Sequence, residues 1–134
     1  MLFVKTTPVY AAILTVFYIL LTINTIRGRR LHSIALGDGN IDEMRARIRA
    51  HANFAEYAPL FIILLSMAEH QGLPNYIIHV FGMLFFLGRL SHAYGLLIAE
   101  PLYNWLTPRV TGMLLTLSCL AMLAIILLYK FGVY

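Results

Sequence analysis

The sequence has few charged residues, a single cysteine and no motif for binding a metal or a phosphate. Charged residues make up 12% of its 134 residues, whereas soluble domains usually carry about 25%. Cys119 is the only cysteine, so an internal disulfide is excluded, and its place in an apolar run indicates inert packing. Paired cysteines, His-x-x-x-His, phosphate loops and nucleophile elbows are all missing. We therefore expect no metal site and no thiol chemistry from the chain itself.

Apolar residues take the place of the missing charges. They make up 60% of the chain and give a mean hydropathy of +0.79, which is too apolar for a water-soluble globule of this size. A membrane-spanning helix needs about 20 apolar residues, and four stretches are long enough, with short connections rich in turn residues. The predicted spans are residues 8–27, 45–69, 75–98 and 108–130. We predict one integral membrane domain, residues 1–134, folded as an all-α, antiparallel bundle of four transmembrane helices.

Basic residues cluster in or beside the first and third connections between the predicted spans, and the second connection has none. Seven of the ten basic residues belong to this group: Arg27, Arg29, Arg30, Arg45, Arg47, Arg49 and Arg109. The positive-inside rule predicts that these connections are cytoplasmic and that both termini lie outside. The first span lacks the basic start and cleavage site of a signal peptide. Because the basic residues lie at helix ends beside a membrane, we expect membrane lipids as partners and no nucleic acid.

Polar side chains form a stripe on the second predicted helix. Arg49, Asn53 and Glu56 are spaced i, i+4, i+7, which puts them on one helical face. The third helix carries Arg89 and His92 at i, i+3 on one face near its cytoplasmic end. Ionisable groups are costly inside a membrane and usually mark a function or a paired partner.

Neighbouring helix ends in an up-down bundle bring these groups to one pocket, together with Arg109 at the start of the fourth helix. Guanidiniums bind carboxylates, Glu56 suits an ammonium, and Asn53 suits a peptide amide. An arginine there would also lower the pKa of a bound thiol. Two purely structural alternatives stay open: Arg49 and Glu56 pair with each other or with Arg89, and His92 makes a packing hydrogen bond.

Three segments resemble the MAPEG superfamily, the membrane-associated proteins in eicosanoid and glutathione metabolism. The segment Arg49–Leu60, RAHANFAEYAPL, resembles the family's second-helix signature. Gly88–Gly95, GRLSHAYG, is similar to its third-helix stretch, and Pro108-Arg109 to the start of its fourth helix. The resemblance covers essentially the whole chain, and the loop Ile34–Gly39 is most similar to the small bacterial branch.

The resemblance implies a homotrimer in a bacterial inner membrane, with glutathione bound as a co-substrate between subunits. The residues that it implies for glutathione binding are Arg27, Arg49, His51, Asn53, Glu56, Tyr57, Arg89 and His92. His51 would face glutathione on the adjacent subunit. Arg27 would grip a terminal carboxylate, with Arg29 or Arg30 as alternatives. Arg109 is implied to be the catalytic residue that stabilises the glutathione thiolate.

The chain departs from the eicosanoid-forming relatives at several positions. Leu96 stands where a tyrosine is usual after the third-helix motif, and Val110 and Met113 replace a hydroxyl and a tyrosine on the fourth helix. Arg45 replaces an acidic residue before the second-helix motif. We therefore expect a microsomal-type glutathione S-transferase, or a glutathione-dependent peroxidase, acting on lipophilic electrophiles. The alternative is a non-catalytic membrane module that binds glutathione or an anionic lipid or metabolite.

Overall fold

The computed structural model describes residues 4–132, and this part of the chain is helical with no strand. Helix α1 is Thr7–Leu31, α2 is Asp42–His70, α3 is Asn75–Tyr103 and α4 is Thr107–Gly132. Helix α3 is continuous but changes geometry, because a π-helical turn, Gly95–Ala99, separates a long α-helical part from a short one. The predicted all-α bundle of four helices is confirmed.

The helices alternate in direction, as two contacts at one end of the bundle demonstrate. The Glu69 carboxylate near the end of α2 accepts hydrogen bonds of 2.7–2.8 Å from the backbone N–H groups of Lys5, Thr6 and Thr7. The Nζ of Lys130, at the end of α4, donates to the Gln71 carbonyl at 3.0 Å. The opposite end carries the connections of residues 32–41 and 104–106, and we call it the basic end.

Helices α1, α3 and α4 are long and apolar enough to cross a membrane. Their outer faces expose large apolar side chains such as Val16 and Leu20 on α1 and Ile125 and Leu128 on α4, which a membrane would cover. Helix α2, which corresponds to the predicted span 45–69, does not meet the same criterion of length and composition. The reason is its polar first half, which begins with two acids and three arginines within eight residues.

The apolar core runs along the bundle, from Ala50 and Leu96 near the basic end to Leu65 and Ile78 near the other. Phe61 of α2 stacks on Phe85 of α3, with ring centroids 3.8 Å apart and the planes 5° from parallel. Leu65, Ile78 and Leu123 belong to the same buried cluster and have no exposed surface. Because tightly packed interiors resist deformation, this buried cluster gives the polar residues of the bundle a rigid support.

Helices α3 and α4 approach so closely at the basic end that their backbones touch. A Cβ on Gly112 would lie 2.5 Å from the Gly88 carbonyl oxygen and 2.5 Å from the His92 backbone nitrogen. A Cβ on Gly95 would lie 2.5 Å from the backbone nitrogen of Arg109. Small residues allow such contact between membrane helices. The close approach brings the polar residues of α3 against the start of α4.

Replacing Gly112 by alanine tests this helix contact. The new methyl would collide with backbone atoms of α3, and overpacking costs about 1–3 kcal/mol. Alanine recovers only about 1 kcal/mol of helix propensity, so we expect a lower thermal unfolding temperature in detergent. The control is Ala121→Val, which adds volume on the exposed face of α4 and should leave the unfolding temperature nearly unchanged. Equal stability of Gly112→Ala and wild type would contradict the described packing.

Candidate functional site

A cavity of about 810 Å³ opens at the basic end, between α2, the end of α3 and the start of α4. Its polar lining is charged or hydrogen-bonding: Asp42, Arg45, Arg49, Asn53, His92, Glu100 and Arg109. Its other side is an apolar wall that includes Leu96, Leu106, Val110, Met113 and Leu114. A cavity with these two sides suits a charged ligand that meets an apolar one.

Four of the residues proposed from the sequence line this cavity together. They are Arg49 and Asn53 from α2, His92 from α3 and Arg109 from α4. Arg89 lies directly behind them, within hydrogen-bond distance of Asn53 and His92. The sequence analysis proposed that these three helix ends form one pocket, and the cavity brings them together.

Arg89 is the most deeply buried charged side chain, with 1% of its surface exposed. Its Nη2 donates to Asn53 Oδ1 at 2.6 Å and lies 3.4 Å from His92 Nδ1, and its Nη1 donates to Thr116 Oγ1 at 3.2 Å. The Tyr57 ring lies 5.8 Å from the guanidinium carbon. Among the described residues no carboxylate pairs with Arg89, and its Nε has no hydrogen-bond partner. The guanidinium therefore orients Asn53 and His92 toward the cavity. Its own charge is solvated by polar side chains and not paired with a carboxylate.

Arg49 and Glu56 do not pair, contrary to the structural alternative that stayed open. Neither side chain makes a hydrogen bond or an ion pair within residues 4–132, and both are exposed. Glu56 lies 14 residues beyond Asp42, or about 21 Å along α2, on a surface shared with the exposed side chains of Leu60 and Ile63. A carboxylate beside such apolar side chains is costly to place in a membrane unless another group pairs with it.

Arg109 has a carboxylate partner in the same cavity. Its Nη1 donates to both oxygens of Glu100, at 3.2 and 3.0 Å. The start of α4 is held against α3 by the Ser91 hydroxyl, which donates to the Pro108 carbonyl at 2.8 Å. Sequence reasoning missed Glu100, although it is the one acidic residue between the third-helix motif and Arg109, which is a signal of a counter-ion for a nearby arginine.

Thr116 is the other functional neighbour that sequence reasoning missed. Its side chain has no exposed surface, and besides accepting from Arg89 it donates to the Gly112 carbonyl at 2.8 Å. A threonine hydroxyl on a membrane helix usually bonds to its own helix backbone, so its sequence position alone gave no signal of a contact with a charged residue.

Glu56 and Tyr57 do not line this cavity, and two more proposed residues, His51 and Arg27, lie away from it. His51 Nε2 is 3.1 Å from the Thr22 hydroxyl, and its ring stacks on Tyr18 with centroids 4.8 Å apart. It therefore lies between α1 and α2. Arg27 is exposed on α1 and does not line the cavity. Their roles stay predictions, which require a second subunit to bring them to a ligand.

The cavity mouth is tied to the first connection by an ion-pair cluster. Arg45 donates to Asp38 at 3.0 Å and to Asp42 at 2.8 Å. The backbone N–H of Asn40 and the guanidinium of Arg45 lower the pKa of the Asp38 carboxyl. Arg45 is thereby neutralised by its own neighbours. Within residues 4–132, no group of three or more His, Cys, Asp and Glu side chains comes together as a metal site would require.

Comparison with known proteins gives one family and one pair of relatives. The model of the MAPEG family matches residues 7–129. The inner membrane protein YecN of Escherichia coli strain K12 is 30% identical over 116 residues, which cover 87% of this chain and 85% of the relative. YecN of Escherichia coli O6:H1 has the same identity and coverage. No solved structure matches the chain.

Replacing Thr116 by valine tests whether Arg89 depends on neutral acceptors. Valine has nearly the same shape but leaves the Nη1 of a buried guanidinium without a partner, which we expect to cost about 1–2 kcal/mol of unfolding free energy. Thermal or denaturant unfolding in detergent measures it. The control is Thr15→Val, whose exposed hydroxyl bonds only to Ala11 of its own helix. Equal effects of the two variants would argue against the role of Thr116.

Proposed function

The chain belongs to the MAPEG family, and from this premise we propose that it binds glutathione and uses its thiol on lipophilic electrophiles. The proposed activity is that of a microsomal-type glutathione S-transferase or a glutathione-dependent peroxidase. The observation that supports it most is the convergence of Arg49, Asn53, His92 and Arg109 on one cavity. We also propose an inner-membrane location, in line with the names of the relatives. Both termini would lie outside, because basic connections are expected on the cytoplasmic side.

The cavity chemistry matches the groups of a γ-glutamyl tripeptide. Glutathione has two carboxylates, one ammonium, two amides and a thiol. Arg49 offers a guanidinium without a partner among the described residues, which suits a carboxylate. Asn53 offers an amide whose oxygen already accepts from Arg89, so its NH2 group is available to donate to a ligand carbonyl oxygen. Asp42 supplies negative charge for the ammonium.

Arg109 is the proposed thiolate-stabilising group. Glu100 occupies only its Nη1, so Nε and Nη2 stay available for a sulfur atom. Lowering the pKa of a bound thiol by about two units requires roughly 3 kcal/mol of stabilisation, which one guanidinium in a site of low dielectric can supply. This would make the thiolate, the reactive nucleophile, the main form at neutral pH.

The apolar wall of the cavity gives a lipophilic substrate access from the membrane. Leu106, Val110 and Leu114 lie on it, and each has about half of its surface exposed, at 49%, 52% and 59%. An electrophile dissolved in the bilayer would contact these side chains before it reached Arg109.

A homotrimer with a site in each interface completes the proposal. The exposed carboxylate of Glu56 lacks a partner within the described chain, and an apolar groove of about 630 Å³ runs along α1 and α2 beside it. A second copy seated on this face would cover the groove and supply charges for Glu56. It would also bring Arg27 and His51 of one protomer to a glutathione bound by the next.

The second candidate function is a non-catalytic module that binds glutathione or an anionic lipid or metabolite. The observation that favours it is the ion pair of Arg109 with Glu100, because an arginine already paired with a carboxylate stabilises a bound thiolate less strongly than a free one. Binding without formation of a thiolate would identify this function.

Glutathione titration with purified protein in detergent tests the proposal. The ultraviolet absorbance of the bound thiolate should rise with wild type. It should fall at least tenfold in Arg109→Ala, since each tenfold change corresponds to about 1.4 kcal/mol, and Arg109→Lys should retain part of it. The control Lys130→Gln removes a positive charge at the opposite end. Binding of glutathione to wild type without thiolate absorbance would contradict the proposed catalytic function and support the non-catalytic binding module.

The oligomeric state is measured independently of the ligand. We expect native mass spectrometry in detergent to give three times the 15.2 kDa of the chain. Glu56→Leu, which replaces the exposed carboxylate with an apolar side chain, should lower glutathione affinity while the trimer survives. A monomer at every detergent concentration would contradict the placement of the site between subunits.

A further inference from the structure

Glu100 and Arg109 form an ion pair inside the proposed site. Both oxygens of Glu100 accept from the same nitrogen of Arg109, at 3.2 and 3.0 Å, and both side chains line the cavity. The pair is partly solvated, with side-chain exposures of 32% for Glu100 and 42% for Arg109. The arginine proposed to activate the thiol therefore already has a counter-ion.

A π-helical turn directs Glu100 at Arg109. The turn Gly95–Ala99 immediately precedes Glu100 in α3. A π turn holds one more residue than an α-helical turn, so each following side chain is rotated by about 100° from its α-helical direction. The first residue of the turn, Gly95, touches the backbone of Arg109. Helix α3 therefore contacts both the backbone and the guanidinium of Arg109 through this one turn.

Charge compensation by Glu100 acts against thiolate formation. A thiolate held by the free nitrogens of Arg109 would lie about 6 Å from the carboxylate, and the two negative charges would repel each other. After allowance for solvent exposure, this repulsion raises the pKa of the bound thiol by roughly one pH unit. The other charged or titratable groups that line the cavity are Asp42, Arg45, Arg49 and His92, with Arg89 behind them.

We propose that Glu100 is a positioning residue that tunes the thiol through Arg109. It holds the guanidinium by one nitrogen, leaves Nε and Nη2 for the sulfur, and offsets the arginine's charge so that the empty site does not retain unrelated anions. The inference rests on the proposed function, because it concerns the pKa of a thiol bound at Arg109.

Replacing Glu100 by glutamine separates the effect of the negative charge of Glu100 from the effect of its hydrogen bond with Arg109. A glutamine oxygen can still accept from Arg109, so the guanidinium keeps its place while the negative charge is lost. We expect the pH midpoint of thiolate formation by bound glutathione to fall by roughly one unit. The affinity for S-methylglutathione, which has no ionisable thiol, should change by less than about twofold, or about 0.4 kcal/mol. Glu100→Asp, which keeps the charge, should move the midpoint less than Glu100→Gln.

Glu43→Gln is the matched control. Its carboxylate also pairs with an arginine, Arg47, at 2.6 Å, and it does not line the cavity, so the midpoint should stay at the wild-type value. An unchanged or raised midpoint in Glu100→Gln, with a normal thiolate signal in wild type, would overturn this inference alone. A clear loss of affinity for S-methylglutathione in Glu100→Gln would also overturn it, because the effect of Glu100 would then not depend on the thiol. No thiolate in wild type would instead overturn the catalytic function on which it rests.

Discussion

The polar half of the molecule depends on the burial of one guanidinium, that of Arg89. A buried charge must be surrounded by groups that hydrogen-bond to it, because its desolvation is otherwise too costly. Asn53 on α2, Thr116 on α4 and His92 on its own helix supply these groups. Three helices are thereby fixed relative to one another at one level. The glycine contact between α3 and α4 is what allows Thr116 to reach the guanidinium.

The same arrangement determines what faces the cavity. Asn53 and His92 each use one polar atom on Arg89 and line the cavity with the rest of the side chain. The stacked aromatic layer of Phe61 and Phe85 lies on the other side and does not deform easily. The polar residues therefore keep their positions before a ligand arrives, which reduces the entropy that binding must overcome.

Much of this arrangement followed from the sequence, and the exceptions have physical reasons. Long apolar stretches predicted the four helices, and helical periodicity grouped Arg49 with Asn53 on one face. It also suggested a pair of Arg49 with Glu56, but residues seven apart are about 10.5 Å apart along the axis, too far for that contact. Glu100 was missed because the third span was predicted to end at residue 98, which left Glu100 in a connection, whereas α3 continues through a π turn to Tyr103. The apolar runs predicted four spans, but α2 does not meet the criterion that α1, α3 and α4 meet, since the charges of its first half lower its hydropathy.

The charges at the cavity are not equivalent, and this gives an order to ligand binding. Arg45 is neutralised by Asp38 and Asp42, and Arg109 by Glu100. Among the cavity arginines of the described chain, only Arg49 has no acidic partner. An anionic ligand is therefore attracted first to Arg49, where no ion pair has to be broken. In the proposed function, Arg109 would be engaged afterwards, when the bound sulfur contacts the nitrogens that Glu100 leaves available. Recognition of the charged ligand and activation of its reactive atom would then be carried out by different arginines, one on α2 and one on α4.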